Sequence, residues 1–175
     1  HLRGTIVGFY NSIDDLIALK TDPGDDLLVF DNVDKVRAKG IESELEAKWE
    51  SGFEGRTSYT IQETENDRTG EILVNSPKHL AKFNVIIPLI KEKLFFSGEE
   101  QYTSKRETLS DRFAEDYFVT NITLYSRNIF KTLEISGGVF NLFNKVYEDP
   151  GGEEHAQDTI EQDGRIFRIK VTYAF

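Results

Sequence analysis

Apolar and polar residues alternate with the two-residue period of β-strands through most of this chain. The clearest run closes it: Phe167, Ile169, Val171, Tyr173 and Phe175 share one face, and Arg168, Lys170, Thr172 and Ala174 the other. Over Gly40–Trp49, Ile41, Ser43, Leu45, Ala47 and Trp49 oppose Glu42, Glu44, Glu46 and Lys48. Over Phe53–Gln62, Phe53, Gly55, Thr57, Tyr59 and Ile61 oppose Glu54, Arg56, Ser58, Thr60 and Gln62. Over Ala81–Leu89, Ala81, Phe83, Val85, Ile87 and Leu89 oppose Lys82, Asn84, Ile86 and Pro88. Less regular alternation predicts further strands around Gly4–Ile13, Leu94–Ser104, Tyr117–Tyr125 and Leu133–Phe143. The total is about eight antiparallel strands, many near the roughly 9–11 residues that a tilted strand needs to cross a bilayer. Strands of soluble sheets are shorter, usually about 5–6 residues.

The connections carry a second regularity. Long stretches at Asp14–Asp34, Glu63–Lys78, Lys105–Asp116 and Asn144–Asp163 alternate with short ones at Glu50–Gly52, Ile90–Lys93 and Arg127–Lys131. Successive connections of an antiparallel meander lie at opposite ends of the sheet, so one end carries tight turns and the other large loops. Outer-membrane barrels have this asymmetry. Aromatic residues gather at both ends: Trp49, Phe53, Phe95, Phe96, Phe130, Tyr173 and Phe175 at the short-turn end, and Tyr59, Tyr102 and Tyr117 at the other. Rings that are apolar with a polar edge favour headgroup depth.

Composition narrows the choice. With 175 residues, 38% of them hydrophobic, the chain has no apolar stretch near the roughly 20 residues of a spanning helix, which excludes a helical membrane protein. A net charge of −10, with basic residues scattered among acids, argues against a nucleic-acid surface. The absence of cysteine removes disulfides, thiolate nucleophiles and sulfur-ligated metals. The absence of methionine, in a chain starting His1-Leu2-Arg3, leads us to expect a processed chain or a piece of a longer one.

The C-terminal half carries a resemblance. Asn141-Leu142-Phe143-Asn144-Lys145-Val146-Tyr147, then Asp149-Pro150-Gly151-Gly152, Glu154-His155, Gln157-Asp158, Ile160, Gln162-Asp163-Gly164-Arg165 and a last strand ending Thr172-Tyr173-Ala174-Phe175, resembles the end of a TonB-dependent outer-membrane receptor. Upstream, Gly40-Ile41-Glu42 is similar to a recurring strand entry of that family, Asn75-Ser76-Pro77-Lys78-His79 to its re-entry into the barrel and Gln101-Tyr102 to its strand with an outward Tyr, so the resemblance covers essentially the whole chain. It implies an all-β, antiparallel transmembrane barrel segment, residues 1–175 supplying about the last eight strands of a 22-stranded barrel and forming an open, curved sheet in isolation. It further implies an outer membrane of a Gram-negative bacterium and import of a scarce nutrient, above all a ferric siderophore or similar metal complex, by TonB-coupled energy. The implied partners are outer-membrane lipid, the receptor's own plug domain, TonB through an N-terminal part, and that metal-complex substrate. Neither plug nor TonB-contacting segment is expected within these residues. Phe167, Ile169, Val171, Tyr173 and Phe175 resemble the C-terminal signal read by the barrel-assembly machinery. An edge strand with an apolar face is a template for strand addition.

No catalytic or cofactor-binding residue is expected, because no phosphate loop, nucleophile elbow or His-Glu-x-x-His motif occurs. Glu148, Asp149, Glu153, Glu154, His155 and Asp158 could in principle hold a divalent cation. A solvated acidic loop turning at Asp149-Pro150-Gly151-Gly152 is the preferred reading, with no metal site. His79 reads as a residue that positions a strand start rather than an acid or base. The long loops supply the ligand candidates, Arg106, Arg112, His155 and Gln157; arginine grips carboxylate or catecholate oxygens in bidentate fashion.

Three questions stay open at the level of sequence. The polar faces bearing Glu42, Glu44, Glu46, Arg56, Gln62, Lys82, Arg168 and Lys170 point outward in a soluble barrel and into the lumen of a membrane barrel. Glu100 shares a face with Leu94, Phe96 and Tyr102, so either the strand bulges there or the carboxylate lies near the headgroups. Two other architectures compete: a self-sufficient eight-stranded outer-membrane barrel with a structural or adhesive role, and a soluble lipocalin-type binding barrel.

Overall fold

The structure, a computed structural model, describes residues 1–33, 35–127 and 132–173. Its strands are β1 (Leu2–Ile13), β2 (Leu16–Thr21), β3 (Leu28–Val33), β4 (Val36–Lys48), β5 (Glu54–Asn66), β6 (His79–Ile90), β7 (Leu94–Thr103), β8 (Arg106–Glu107), β9 (Phe113–Ala114), β10 (Tyr117–Ser126), β11 (Leu133–Phe140), β12 (Glu148–Pro150), β13 (Thr159–Glu161) and β14 (Ile166–Tyr173). Eight of them make one antiparallel sheet in the order β1-β4-β5-β6-β7-β10-β11-β14, each beside its predecessor among the eight. Among the described residues β1 pairs only with β4 within this sheet, and β14 only with β11, so the sheet is open at both edges. That excludes a closed eight-stranded barrel for this structure.

Register turns the alternation into two faces. Leu45 stands opposite Gly4 and Thr57, Thr57 opposite Phe83, Phe83 opposite Glu100, and Glu100 opposite Thr120. The face they share also carries Ile6, Ile41, Ile61, Phe118, Leu124, Phe167 and Ile169, all exposed. The opposite face carries Glu42, Glu44, Glu46, Arg56, Gln62, Lys82, Arg168 and Lys170 together. Only Val36 and Ala114 are buried apolar residues among those described, at 2% and 1% exposure. A soluble barrel buries its apolar face in a core; here that face is bare, with Ile169 at 80% exposure. Apolar side chains outward and charges inward is the arrangement of a membrane barrel.

The polar face organises its charges in pairs across and along strands. Arg56 Nη2 lies 2.5 Å from Glu44 Oε2, and Lys48 Nζ 3.0 Å from Glu46 Oε1 and 3.5 Å from Glu54 Oε2. Asn121 Nδ2 donates to Glu99 Oε1 at 2.8 Å. Gly40, on the same face, lies inside β4, four residues after its start at Val36, rather than at the strand entry expected of Gly-Ile-Glu. A Cβ there would lie 2.6 Å from the Phe9 ring and 2.5 Å from the Ile61 carbonyl, so the Phe9 ring occupies the space a side chain needs.

The short connections are tight turns. Gly52 N–H donates to Trp49 O at 2.9 Å with a positive φ at Gly52, and Lys93 N–H to Ile90 O at 3.0 Å with a positive φ at Glu92. Trp49 and Phe53 meet edge to face at 4.8 Å beside the first. The aromatic girdles need two corrections: Phe96 is on the apolar face, but Phe95 is on the charged face, stacked on Tyr125 at 5.1 Å, and Tyr117, opposite Thr103, is on the charged face as well. Phe130, Ala174 and Phe175 lie outside the described residues.

Three further corrections concern the long connections and Glu100. The loops expected at Asp14–Asp34, Lys105–Asp116 and Asn144–Asp163 each contain a two-stranded ribbon, β2–β3, β8–β9 and β12–β13. The strand expected at Leu133–Phe143 ends at Phe140, because Asn141 and Asn144 adopt positive φ and start a turn. No bulge occurs at Glu100: it stays in register on the apolar face, and the Thr120 hydroxyl donates to its Oε2 at 2.5 Å. It lies three residues from the long-loop end of β7, near the membrane surface rather than the midplane.

Candidate functional site

Part of the long-loop end is assembled by side chains that bind backbone. Asn141, in its left-handed conformation, donates through Nδ2 to Lys145 O at 2.8 Å and accepts the Lys145 N–H on Oδ1 at 2.7 Å. Asn144 Oδ1 accepts the Arg165 N–H at 2.8 Å, 21 residues on. These bonds explain the Asn-Leu-Phe-Asn run: two amides fold the chain away from β11 and seat the last loop above β14. The Asn-Ser-Pro-Lys-His run works similarly. Gln62 Nε2 donates to Pro77 O at 3.1 Å, and the His79 N–H donates to Ser104 Oγ at 3.0 Å. His79 Nδ1 meets the Tyr59 hydroxyl at 2.7 Å, so this ring positions the start of β6, as expected.

Arg106 is the centre of the cluster. It is 5% exposed. Its Nη1 donates to Asp149 Oδ1 at 2.7 Å and Asn75 Oδ1 at 3.4 Å, and its Nη2 donates to Glu148 O at 2.9 Å. One guanidinium therefore ties β8 to β12 and to the loop before β6. Its carbon lies 5.4 Å from the Tyr117 ring centroid, and Tyr117 stacks on Tyr147 at 4.4 Å. Burial pushes the Tyr147 phenol above its ordinary pKa, with Tyr117 and the carboxylates of Asp149 and Asp163 adding to the effect.

Asp158 makes the second tie. Its Oδ2 accepts the Thr108 hydroxyl at 2.9 Å and Arg112 Nε at 3.0 Å, and its Oδ1 accepts the Ser110 N–H at 3.3 Å. Burial acts to raise its pKa, but the hydrogen bonds from Thr108 and Ser110 and the charge of Arg112 outweigh it and hold the carboxyl below its usual range. The β8–β9 ribbon is thus bound to the last loop at two carboxylates, Asp149 and Asp158.

The acidic constellation disperses. Asp149 goes to Arg106 and Asp158 to Arg112; Glu148 accepts the Thr159 hydroxyl at 2.8 Å and Glu153 the Thr21 hydroxyl at 3.4 Å. His155 turns back on its own turn, Nδ1 accepting the Gly152 N–H at 3.2 Å with Glu154 at 3.4 Å. Among the described residues, no three carboxylate or imidazole groups are grouped so as to hold a metal ion.

Of the four ligand candidates, the structure brings Arg106 and Arg112 together on the β8–β9 ribbon, Arg106 buried and Arg112 exposed on the far side of Asp158. His155 and Gln157 are exposed in the turn between β12 and β13. Sequence reading missed Asn75, Thr108, Asp158 as an acceptor, and the Tyr117–Tyr147 stack. Their partners lie 30 or more residues away, as with Thr108 and Asp158 at a separation of 50. The signal that was available is the polar residue beside Pro77 and beside Pro150 at the two places where the chain must turn.

The profile of the family described as "TonB dependent receptor-like, beta-barrel" matches residues 1–142. Among curated proteins none matches significantly. Solved structures share the fold. The copper transporter OprC aligns over 99% of this chain and 29% of its own, at 18% identity and a TM-score of 0.78. The ferric enterobactin receptor PfeA from Pseudomonas aeruginosa aligns over 99% and 29%, at 19% identity and a TM-score of 0.78. The ferric-catecholate import receptor Fiu from K12 E. coli aligns over 99% and 25%, at 17% identity and a TM-score of 0.75. The chain spans between a quarter and a third of the length of each of these.

Proposed function

The chain belongs to the TonB-dependent receptor β-barrel family, whose place is the outer membrane, and from that premise we propose that it is the C-terminal wall of a receptor that imports a scarce nutrient. In this reading residues 1–175 are about the last eight strands of a 22-stranded barrel, and the earlier strands and a plug domain lie elsewhere in the receptor. TonB engages the N-terminal part and supplies the energy. Members of this family transport rather than catalyse, and the chain is not an enzyme.

The observation that carries the reading is the open edge of both β1 and β14 in a sheet whose apolar face is bare. Unpaired backbone is not tolerated in hydrocarbon, so such a sheet needs further strands at each side. The charged face then lines the lumen and faces the plug. The barrel-assembly machinery reads Phe167, Ile169, Val171 and Tyr173 of the last strand together with Phe175.

For the substrate, a ferric siderophore or similar metal complex is the best-supported class. Two of the similar structures are named for ferric complexes and one for copper. This chain has no Cys or Met and 3 His, so its loops offer oxygen, nitrogen and guanidinium groups rather than the soft sulfur ligands suited to copper(I). Arg112, His155 and Gln157 are the residues proposed to reach the complex, and Arg106 positions them by holding the loops. The test is uptake of radiolabelled ferric complexes by cells carrying the full-length receptor as their only route. Expected is saturable uptake that stops when TonB is removed. Uptake unchanged by deleting the receptor, across ferric and cupric complexes alike, overturns the proposal.

A further inference from the structure

A cavity that the loop ties leave open lies where the charged face of the sheet meets the last loop. It has a volume of about 250 Å³. β10 supplies Tyr117 and Val119, β11 ends in Phe140, β14 supplies Arg168, and Tyr147 and Asp163 of the last loop border it. The strand residues belong to the face turned away from lipid, since Val119 stands opposite Gln101 and Gln101 opposite Lys82. Tyr117 is the first residue of β10 and Phe140 the last of β11, so the cavity sits at the long-loop end of the wall. In a receptor barrel it opens to the lumen just below the mouth. None of Arg112, His155 and Gln157 borders it.

Three rings form its walls. Tyr117 and Tyr147 stand with centroids 4.4 Å apart. A glycine makes room for the third: a Cβ at Gly138 would lie 3.2 Å from the Phe140 ring, so the missing side chain lets that ring lie along the wall. The Arg168 guanidinium, on the residue opposite Gly138, covers the Phe140 ring at 4.9 Å from its centroid. Among the described residues Arg168 has no carboxylate within ion-pair distance, whereas Arg37, Arg56, Arg106 and Arg112 all have one. Asp163, exposed at the border, likewise has no cation within that distance among the described residues. The amides in the lining are already engaged. Gln101 Nε2 and Asn121 Nδ2 both donate to Glu99 Oε1, at 2.6 and 2.8 Å, and Asn121 Oδ1 accepts the Asn141 N–H at 2.9 Å. The cavity thus offers aromatic walls, one free guanidinium and one free carboxylate, with no net charge.

We propose that this cavity is a subsite for one aromatic arm of the imported complex, a planar ring with adjacent oxygen acceptors such as a catecholate. The ring sits among those of Tyr117, Phe140 and Tyr147, its oxygens accept from the Arg168 guanidinium, and an N–H of the arm donates to Asp163. A forked guanidinium matches two adjacent oxygens, and ring faces add attraction beyond the area they bury. Size limits the occupant. A cavity of about 150 Å³ takes benzene and drug-sized ligands fill about 300 Å³ or more, so this one takes a single substituted ring and leaves the metal centre in the lumen. The inference rests on the import reading, and the two fail on different measurements.

The test is calorimetric titration of the full-length receptor in detergent with two probes, the ferric complex of dihydroxybenzoate and a ferric trihydroxamate that has no aromatic ring. Expected is tighter binding of the aryl complex, weakened about ten-fold by Arg168→Gln through loss of hydrogen bonds from a charged donor. Val119→Phe, which fills the cavity, is expected to weaken it as well, and neither variant to alter trihydroxamate binding. Lys170→Gln, on the same face but off the cavity border, is expected to change neither probe. Trihydroxamate bound as tightly as the aryl complex, binding of neither probe, or aryl binding unchanged in both variants overturns the proposal. So do equal losses for both probes, since Arg168 then holds the plug or a loop rather than the arm. Heat-modifiable gel migration establishes that each variant is folded. Uptake by cells carrying the receptor as their only route reads the import reading separately. Uptake indifferent to TonB, with the calorimetric preference intact, sinks that reading and leaves the subsite standing.

Discussion

Arg106 and Asp149 stand 43 residues apart in the chain and 2.7 Å apart in space, and the same guanidinium also reaches Glu148 O and Asn75. One side chain thus sets the relative position of the loop before β6, the β8–β9 ribbon and the β12–β13 ribbon. Arg106→Met keeps most of the packing and removes the donors. It is expected to destabilise this loop assembly by about 1–3 kcal/mol, the scale of buried hydrogen bonds to a charged group. Hydrogen exchange should accelerate together over residues 72–78, 104–114 and 147–160, and unchanged protection in any two of these segments would count against a shared centre.

The Asp158 tie is expected to depend on pH in a defined direction. Its native pKa lies below the unfolded value, so its contribution is complete above the ordinary carboxylate pKa of about 3.9 and is lost as pH falls through the native value. Protection of residues 108–112 should therefore fall selectively in acid. Asp158→Asn should lower that protection at neutral pH and remove the acid transition, and a transition that survives in this variant would assign it to another group.

Outward position predicts a graded response to charge. Val85, on the same face and opposite Gly55 and Gly98, lies six residues from one end of β6 and five from the other, whereas Leu45 lies three residues from the short-turn end of β4. Arginine at Val85 should cost about 2–4 kcal/mol and at Leu45 about 1 kcal/mol or less, following depth in the bilayer. Reversible unfolding of the receptor in lipid vesicles measures both. Equal and negligible effects would show that the apolar face does not meet lipid.

Gly40→Val places methyl groups where the Phe9 ring and the Ile61 carbonyl already stand. Overpacking of this kind costs about 1–3 kcal/mol. Phe9→Ala should relieve the ring's share of the clash, leaving that with the Ile61 carbonyl, so the double variant is expected to be more stable than the sum of the single changes. Additivity within experimental error would mean that the ring moves aside freely.

The last strand should matter before folding is complete. Deletion of Phe175 from the full-length receptor is expected to lower its level in the outer membrane, read by fractionation and blotting, while leaving its synthesis unchanged. An unaltered level would remove the assembly role from that residue.

The sheet was legible in the sequence because its information is local. Alternation such as Phe167, Ile169 and Val171 against Arg168 and Lys170 assigns a face to every residue without reference to any other strand, and the long-short order of connections assigns an end. The loop ribbons were hidden for the opposite reason. Strands of two residues, such as β8 and β9, have no period to detect; they are held by Arg106, Thr108 and Arg112 reaching carboxylates 43 to 50 residues away. Glu100 fell between the two cases. Its face was evident from its neighbours, but the Thr120 hydroxyl that makes that face tolerable lies on another strand.

The asymmetry of the connections has a consequence for how the wall can be installed. At one end the chain crosses between strands through 49–53 and 91–93, short turns whose charges are Glu50, Lys91, Glu92 and Lys93 alone. At the other it carries the β2–β3, β8–β9 and β12–β13 ribbons with their ion pairs, including Lys20–Asp31 at 2.5 Å. Turning the finished sheet over would drag all of those charges through the bilayer together. Orientation is therefore a kinetic property, decided once by which end crosses first and locked afterwards by the very loops that face outward.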